Sequence, residues 1–168
     1  MKLSNRQAQG FSLIELLLAL GIASFCLIPL LGLLPVGLRN DQSSNEQTRM
    51  ANIATLIVRD MTSVSSTNTT TPLYGFQIPA AGGTANTSPQ TLYLAPDGSE
   101  TGTVGTAPGS TAFYRVSIAF IPPASAVSQT ATLARVTVTW PALADAIPSQ
   151  WPTHYNGILQ TVVALDRN

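Results

Sequence analysis

Few side chains in this chain are of types that do chemistry, and their spacing does not bring them together. His154 is the only histidine, so no two-histidine metal site can form, and a Ser/His/Asp triad would have to draw its one imidazole from a proline-rich loop. Asp97-Gly98-Ser99-Glu100 offers carboxylate and carbonyl oxygens to a cation. An EF-hand-type loop needs several more acidic positions, and Pro96-Asp97-Gly98 reads as a surface turn. Cys26 is the only cysteine; it reads as a small packing residue within an apolar run. No phosphate-cradling glycine loop or basic aromatic stripe is present. The expectation is a protein that is not an enzyme, with no metal, no cofactor and no nucleic-acid partner. One ionisable group stands out by its setting, and that is Glu15.

Residues 1–10, MKLSNRQAQG, are polar and carry only positive side chains, Lys2 and Arg6. From Phe11 to Leu38 the chain is apolar, with Glu15 and Cys26 its only ionisable residues. As a helix this run would extend about 42 Å, more than a hydrocarbon core of about 30 Å. Basic residues ahead of it, and the balanced pair Arg39 and Asp41 behind it, place the amino terminus in the cytoplasm and the rest beyond the inner membrane. Formal net charge is zero, with only 10% charged residues. Without the first ten residues the body is mildly acidic, which argues against a basic nucleic-acid surface.

Three readings of this amino terminus compete. A secretory signal peptide has an apolar core of about 7–15 residues and a small-residue cleavage site, and this run is longer and lacks such a site. A plain signal anchor fits the apolar length but not a carboxylate, which is costly in lipid and marks function. The third reading rests on Gly10-Phe11-Ser12-Leu13-Ile14-Glu15. This motif, behind its short basic leader, resembles the amino-terminal signal of type IV pilins and type II secretion pseudopilins. The resemblance implies cleavage between Gly10 and Phe11 by prepilin peptidase, methylation of the new terminus and retention of the apolar helix. It further implies that Glu15 offsets the positive terminus of a neighbouring subunit, and a buried charge is tolerable only when so paired.

Pro29, Gly32, Pro35 and Gly37 crowd the second half of the run. Each proline removes an intrahelical hydrogen bond, and each glycine costs about 1 kcal/mol of helix propensity. Residues 29–37 are therefore predicted to be kinked or easily unwound. The resemblance allows melting during assembly; a simple kink at the membrane face is the alternative. Beyond Asp41, the residues Met50, Ile53, Ala54, Ile57, Met61 and Val64 recur at helical spacing on one face. Glu46 and Arg49 are expected to pair on the opposite, solvent side.

Past Ser63 the chain turns to loops and short strands. SVSSTNTTTP at 63–72, and stretches from Pro79 to Pro89 and from Asp97 to Ser110, are low in core residues. Asn68-Thr69-Thr70 and Asn86-Thr87-Ser88 match the glycosylation pattern, and are taken only as marks of exposed loops. Strands are predicted at Leu73–Ile78, Thr91–Ala95, Ala112–Ile121, Thr132–Trp140 and Ile158–Leu165. Tyr114, Val116, Ile118 and Phe120 alternate with Arg115 and Ser117, as Ala134, Val136 and Val138 alternate with Arg135 and Thr137. Trp140–Gly157 holds two tryptophans, three prolines and the histidine; it reads as a loop whose aromatics cap the sheet edge, or else as a partner contact.

The expected fold is α+β: a long amino-terminal helix, half membrane-spanning and half amphipathic, packed on a small antiparallel sheet in a pilin-like roll. The parts are a leader at 1–10, a transmembrane or filament-core helix at 11–38, an amphipathic helix at 39–64 and a β head at 65–168. The resemblance implies a structural subunit of a type IV pilus-like or type II secretion pseudopilus filament. Absence of paired cysteines, the short head and the Val-Thr-Val-Thr-Trp strand point to a minor subunit similar to the I-type. The pilin-like proteins of Verru_Chthon cassettes are an equal match, while Glu15 argues against the tip subunit that lacks this glutamate. Implied partners are prepilin peptidase, other pilin or pseudopilin subunits, the inner-membrane assembly platform and membrane lipid. The alternative is a single-span envelope binding module that does not assemble.

Overall fold

A computed structural model describes residues 11–65, 67–80, 88–121 and 131–166. One helix, α1, runs from Leu13 to Thr62. The Ser12 carbonyl opens it by accepting the Glu15 and Leu16 N–H groups at 3.0 and 3.1 Å. At the other end Ser63 N–H reaches the Arg59 carbonyl, and the Ser63 hydroxyl the Asp60 carbonyl. The chain falls into two compact units, residues 1–42 and 43–168.

In the first unit every described side chain is exposed. Leucine and isoleucine point outward all round, and α1 is long and apolar enough here to cross a membrane. Ser24 Oγ donates to the Leu20 carbonyl at 2.8 Å, so this hydroxyl leaves no bare donor on an apolar surface.

The second unit is the head. Its sheet has the order β1-β2-β3-β4, with β1 Gln90–Leu94, β2 Tyr114–Ile121, β3 Thr132–Trp140 and β4 Gly157–Leu165. All neighbours are antiparallel, and Leu92 faces Val116, Val116 faces Val138, and Val138 faces Leu159. That register lines up the apolar members of each alternation on one face. Met50, Ile53, Ala54, Ile57 and Met61 of α1 bury against this face with Phe76 and Ile78, each large side chain contributing roughly 1.5–3 kcal/mol. The expected amphipathic stripe and four of the five expected strands are thus present, their ends shifted by a residue or two.

Leu73–Ile78 is not a strand. Asp60 accepts both the Leu73 and Tyr74 N–H groups at 3.0 Å, and Gly75 takes a positive φ of 71°, the left-handed region open to glycine. Thr71 closes the turn, its N–H reaching the Phe76 carbonyl and its hydroxyl accepting from Phe76 N–H. The period-two apolar residues Tyr74, Phe76 and Ile78 do bury, as a loop that plugs the core. Glu46 also departs from expectation. It lies on the buried side of α1 and accepts a hydrogen bond from the Tyr114 hydroxyl, while Arg49 donates to the Pro96 carbonyl at 3.3 Å.

Candidate functional site

Phe11 and Glu15 sit at the start of α1, Phe11 being 85% exposed and Glu15 in the first helical turn. A carboxylate there is favoured by the positive end of the helix dipole, by about 0.3–1 kcal/mol. That is small beside the cost of a charge in lipid. Glu15 has no side-chain partner among the described residues. Gly10, with the rest of the leader, lies outside the described residues.

Pro29, Gly32, Pro35 and Gly37 all lie inside the helix. Pro29 and Pro35 have no N–H for the carbonyls of Phe25 and Leu31, four residues earlier. A Cβ built on Gly32 or Gly37 meets no atom within 4 Å. Packing inside the chain therefore asks for neither glycine. The helix nevertheless runs unbroken through all four positions.

A second constellation, which sequence reasoning missed, lies on the other face of the sheet. Arg115 is 1% exposed and Ser117 is fully buried, although period two alone would turn them to solvent. They are covered by the chain from Pro141 to Asn156, which crosses that face. Arg115 Nη1 donates to the Asp145 carbonyl at 3.0 Å, and Nη2 to the carbonyls of Ile147 (3.0 Å) and Gln150. Thr91 Oγ1 donates to the Pro148 carbonyl at 2.7 Å and Tyr93 Oη to the Asp145 carbonyl at 3.1 Å. Arg115 Nε alone is left without a partner among the described residues. The segment expected to cap the sheet edge is a strap over its face, tied down by a buried guanidinium. Its length was the available signal, because two adjacent antiparallel strands need only a few residues between them.

The strap also holds His154. Asp145 accepts the backbone N–H groups of Thr153 and His154 at 2.6 Å each, and the Thr153 hydroxyl at 3.1 Å. Burial pushes the Asp145 carboxyl up, but these donors outweigh it and hold the group down at about 2. His154 Nδ1 lies 3.3 Å from Asp145, with its ring largely exposed. The Thr153 hydroxyl also lies 2.9 Å from His154 Nδ1, so the ring nitrogen belongs to the hydrogen-bond set that folds this loop. Asp97 likewise spends its carboxylate on Ser99, accepting from its N–H at 3.0 Å and hydroxyl at 2.7 Å. Gly98 supplies the left-handed turn between them. The described residues hold no cluster of three His, Cys, Asp or Glu.

In the head, burial and the Glu46 carboxylate together push Tyr114 up to about 12. Tyr114 therefore stays a donor to Glu46 at any physiological pH.

The prokaryotic N-terminal methylation motif matches residues 5–31. The match spans part of the leader, the Gly10-Phe11 junction, Glu15 and Pro29. The matched segment is similar to the amino termini of type IV pilin-like and pseudopilin-like proteins, which prepilin peptidase processes, and it leads into a helix long and apolar enough to cross a membrane once. No curated protein and no solved structure matches the chain.

Proposed function

We propose that this protein is a structural, minor subunit of a type IV pilus-like or type II secretion pseudopilus filament. Prepilin peptidase cuts between Gly10 and Phe11, and the new terminus is methylated. The leader end faces the cytoplasm and the head stands on the far side of the inner membrane. An assembly platform then draws the apolar helix out of the lipid, into a filament core where Glu15 meets the amino terminus of a neighbour. The protein has no catalytic activity of its own and acts by packing.

The observation that carries this reading is the methylation motif at residues 5–31 leading into one helix whose far half is the core element of a folded head. Glu15, which has no side-chain partner among the described residues, supports it, because a carboxylate in an apolar segment calls for a cation. Mass spectrometry of the membrane-extracted protein tests the processing. A chain beginning at N-methyl-Phe11 is expected, whereas an intact Met1 in cells with an active peptidase sinks the reading and leaves a plain anchor. Glu15→Ala is expected to be cleaved normally yet lost from sheared filaments; normal incorporation of that variant removes the charge-pairing role.

A further inference from the structure

The strap over the outer face of the sheet is pinned at its base and lies unpacked along the rest of its length. At the base Ala142 N–H donates to the Phe113 carbonyl and Asn156 N–H to the Trp140 carbonyl, both at 2.8 Å. Ala142 is buried there with Tyr93 and Ala112, apart from the core between the sheet and α1. Between these pins, from 143 to 155, no residue is buried. The large apolar side chains Leu143, Ile147, Trp151 and Tyr155 are all exposed. The sheet face beneath is polar: Thr91 and Ser117 are fully buried and Arg115 is 1% exposed. What holds the strap down is therefore a set of hydrogen bonds from sheet side chains to strap carbonyls. Arg115 makes three of them, all to neutral acceptors, while its Nε finds no acceptor among the described residues. Thr91 and Tyr93 each add one. The Arg135 guanidinium also stands 5.7 Å from the Trp151 ring centroid, an exposed cation–π contact and so a weak one.

We propose that residues 143–155 form a lid that lifts from the sheet as a unit while the head stays folded, with Arg115 as its latch. Lifting exposes little apolar surface, so its free energy lies well below that of global unfolding. A buried guanidinium that meets only neutral carbonyls is short of the solvation it has in water, and it regains that solvation when the lid lifts. The hydroxyls beneath exchange strap carbonyls for water at little cost. The outer face thus has a sealed state and an open one, in which a cation stands among the hydroxyls of Thr91, Tyr93 and Ser117. Every contact invoked lies within the head, so the device is independent of how the chain is anchored or assembled.

Thiol labelling of the full chain in detergent micelles, in a Cys26→Ser background, tests this. Ser117→Cys places a thiol under the lid, and Val136→Cys places one in the core, where Val136 is fully buried. With a water-soluble maleimide the first thiol is expected to react at least about a hundredfold faster than the second. Its rate should stay flat in urea below the unfolding transition, whereas the rate at 136 should climb steeply, because only global unfolding reaches it. Adding Arg115→Met is expected to speed labelling at 117 by at least about tenfold. Circular dichroism verifies that each variant still unfolds cooperatively. Should Arg115→Met fail to fold, Thr91→Val and Tyr93→Phe each remove one strap bond and are expected to speed labelling by about two- to tenfold. Equal rates with equal urea dependence at 117 and 136 overturn the lid. So does a thiol at 117 that reacts as fast as one from Leu73→Cys, at an exposed position, which would mean that the strap does not close. Unchanged labelling in the folded Arg115→Met variant, or in both single-bond variants, overturns the latch.

Discussion

Residues 13–42 of α1 expose their leucines and isoleucines on every side, while residues 43–62 bury one stripe and expose the rest. Both stretches belong to one helix, and its backbone differs between them only where Pro29 and Pro35 withhold an N–H in the first. What differs is where the partner of each apolar surface is found. The second half finds it inside the chain, in Val116, Val136, Val138 and the other sheet residues of the core. The first half finds none among the described residues; in the function proposed above, lipid and then another subunit take that place. Polar groups follow the same division: Glu46 meets Tyr114 within the head, whereas Glu15 meets nothing there. The same helix thus serves as a core element and as an unfinished surface.

The widest separation between the halves is expected from truncation. Ile57 is fully buried, so Ile57→Ala should cost the head about 2–5 kcal/mol through lost transfer energy and the cavity left behind. Leu17→Ala should leave head unfolding unchanged within about 0.5 kcal/mol. Denaturant titrations of the full chain in micelles, read by Trp140 and Trp151 fluorescence, check both. A comparable loss from Leu17→Ala would break the contrast.

Next in size is Pro35→Ala, which returns an N–H to the Leu31 carbonyl and favours the helix locally by about 3 kcal/mol. Amide exchange between residues 29 and 37 should slow, with head stability unaltered. Unchanged exchange would show that this part of α1 is not softened by its prolines. A smaller effect is expected in the head half from Tyr114→Phe. It leaves the buried Glu46 carboxylate short of a donor, at about 1–3 kcal/mol, and the same titration reads it.

The smallest effect belongs to the strap. Asp145 has its carboxyl held at about 2, below the ordinary 3.8, so the ionised form is favoured by folding. Its contribution is complete above pH of about 4 and is lost as the pH falls towards 2. Acid titration of thermal unfolding should show this loss in the wild type and a flatter profile in Asp145→Asn. Matching profiles would mean that the Thr153 and His154 N–H groups do not hold that carboxylate in solution.

The sheet was legible because Tyr114 to Phe120 and Ala134 to Trp140 alternate with period two. The helix stripe from Met50 to Met61 was legible from its spacings of three and four. Leu73–Ile78 alternates just as well, yet Asp60 takes two of its N–H groups and the backbone turns back to bridge Thr70 through Gln77 instead of joining the sheet. Arg115 and Ser117 looked like a solvent face, because composition along one strand does not reveal a segment that arrives from 30 residues later. Glu46 looked solvent-facing for a similar reason, as its partner is 68 residues away.

The amino-acid sequence by itself determined the motif from Gly10 to Glu15, the isolated charge within it, the apolar length of the run and the two periodicities of the head. Each is a local pattern, and a peptidase, a membrane or a helix reads local patterns directly. Tertiary structure alone decided which polar residues are buried, that Pro141–Asn156 straps the second face through Arg115, and that the loop after β1 covers that strand's outer edge. Those outcomes depend on which backbone groups find partners across long stretches of chain, and no window of sequence contains both ends of such a bond.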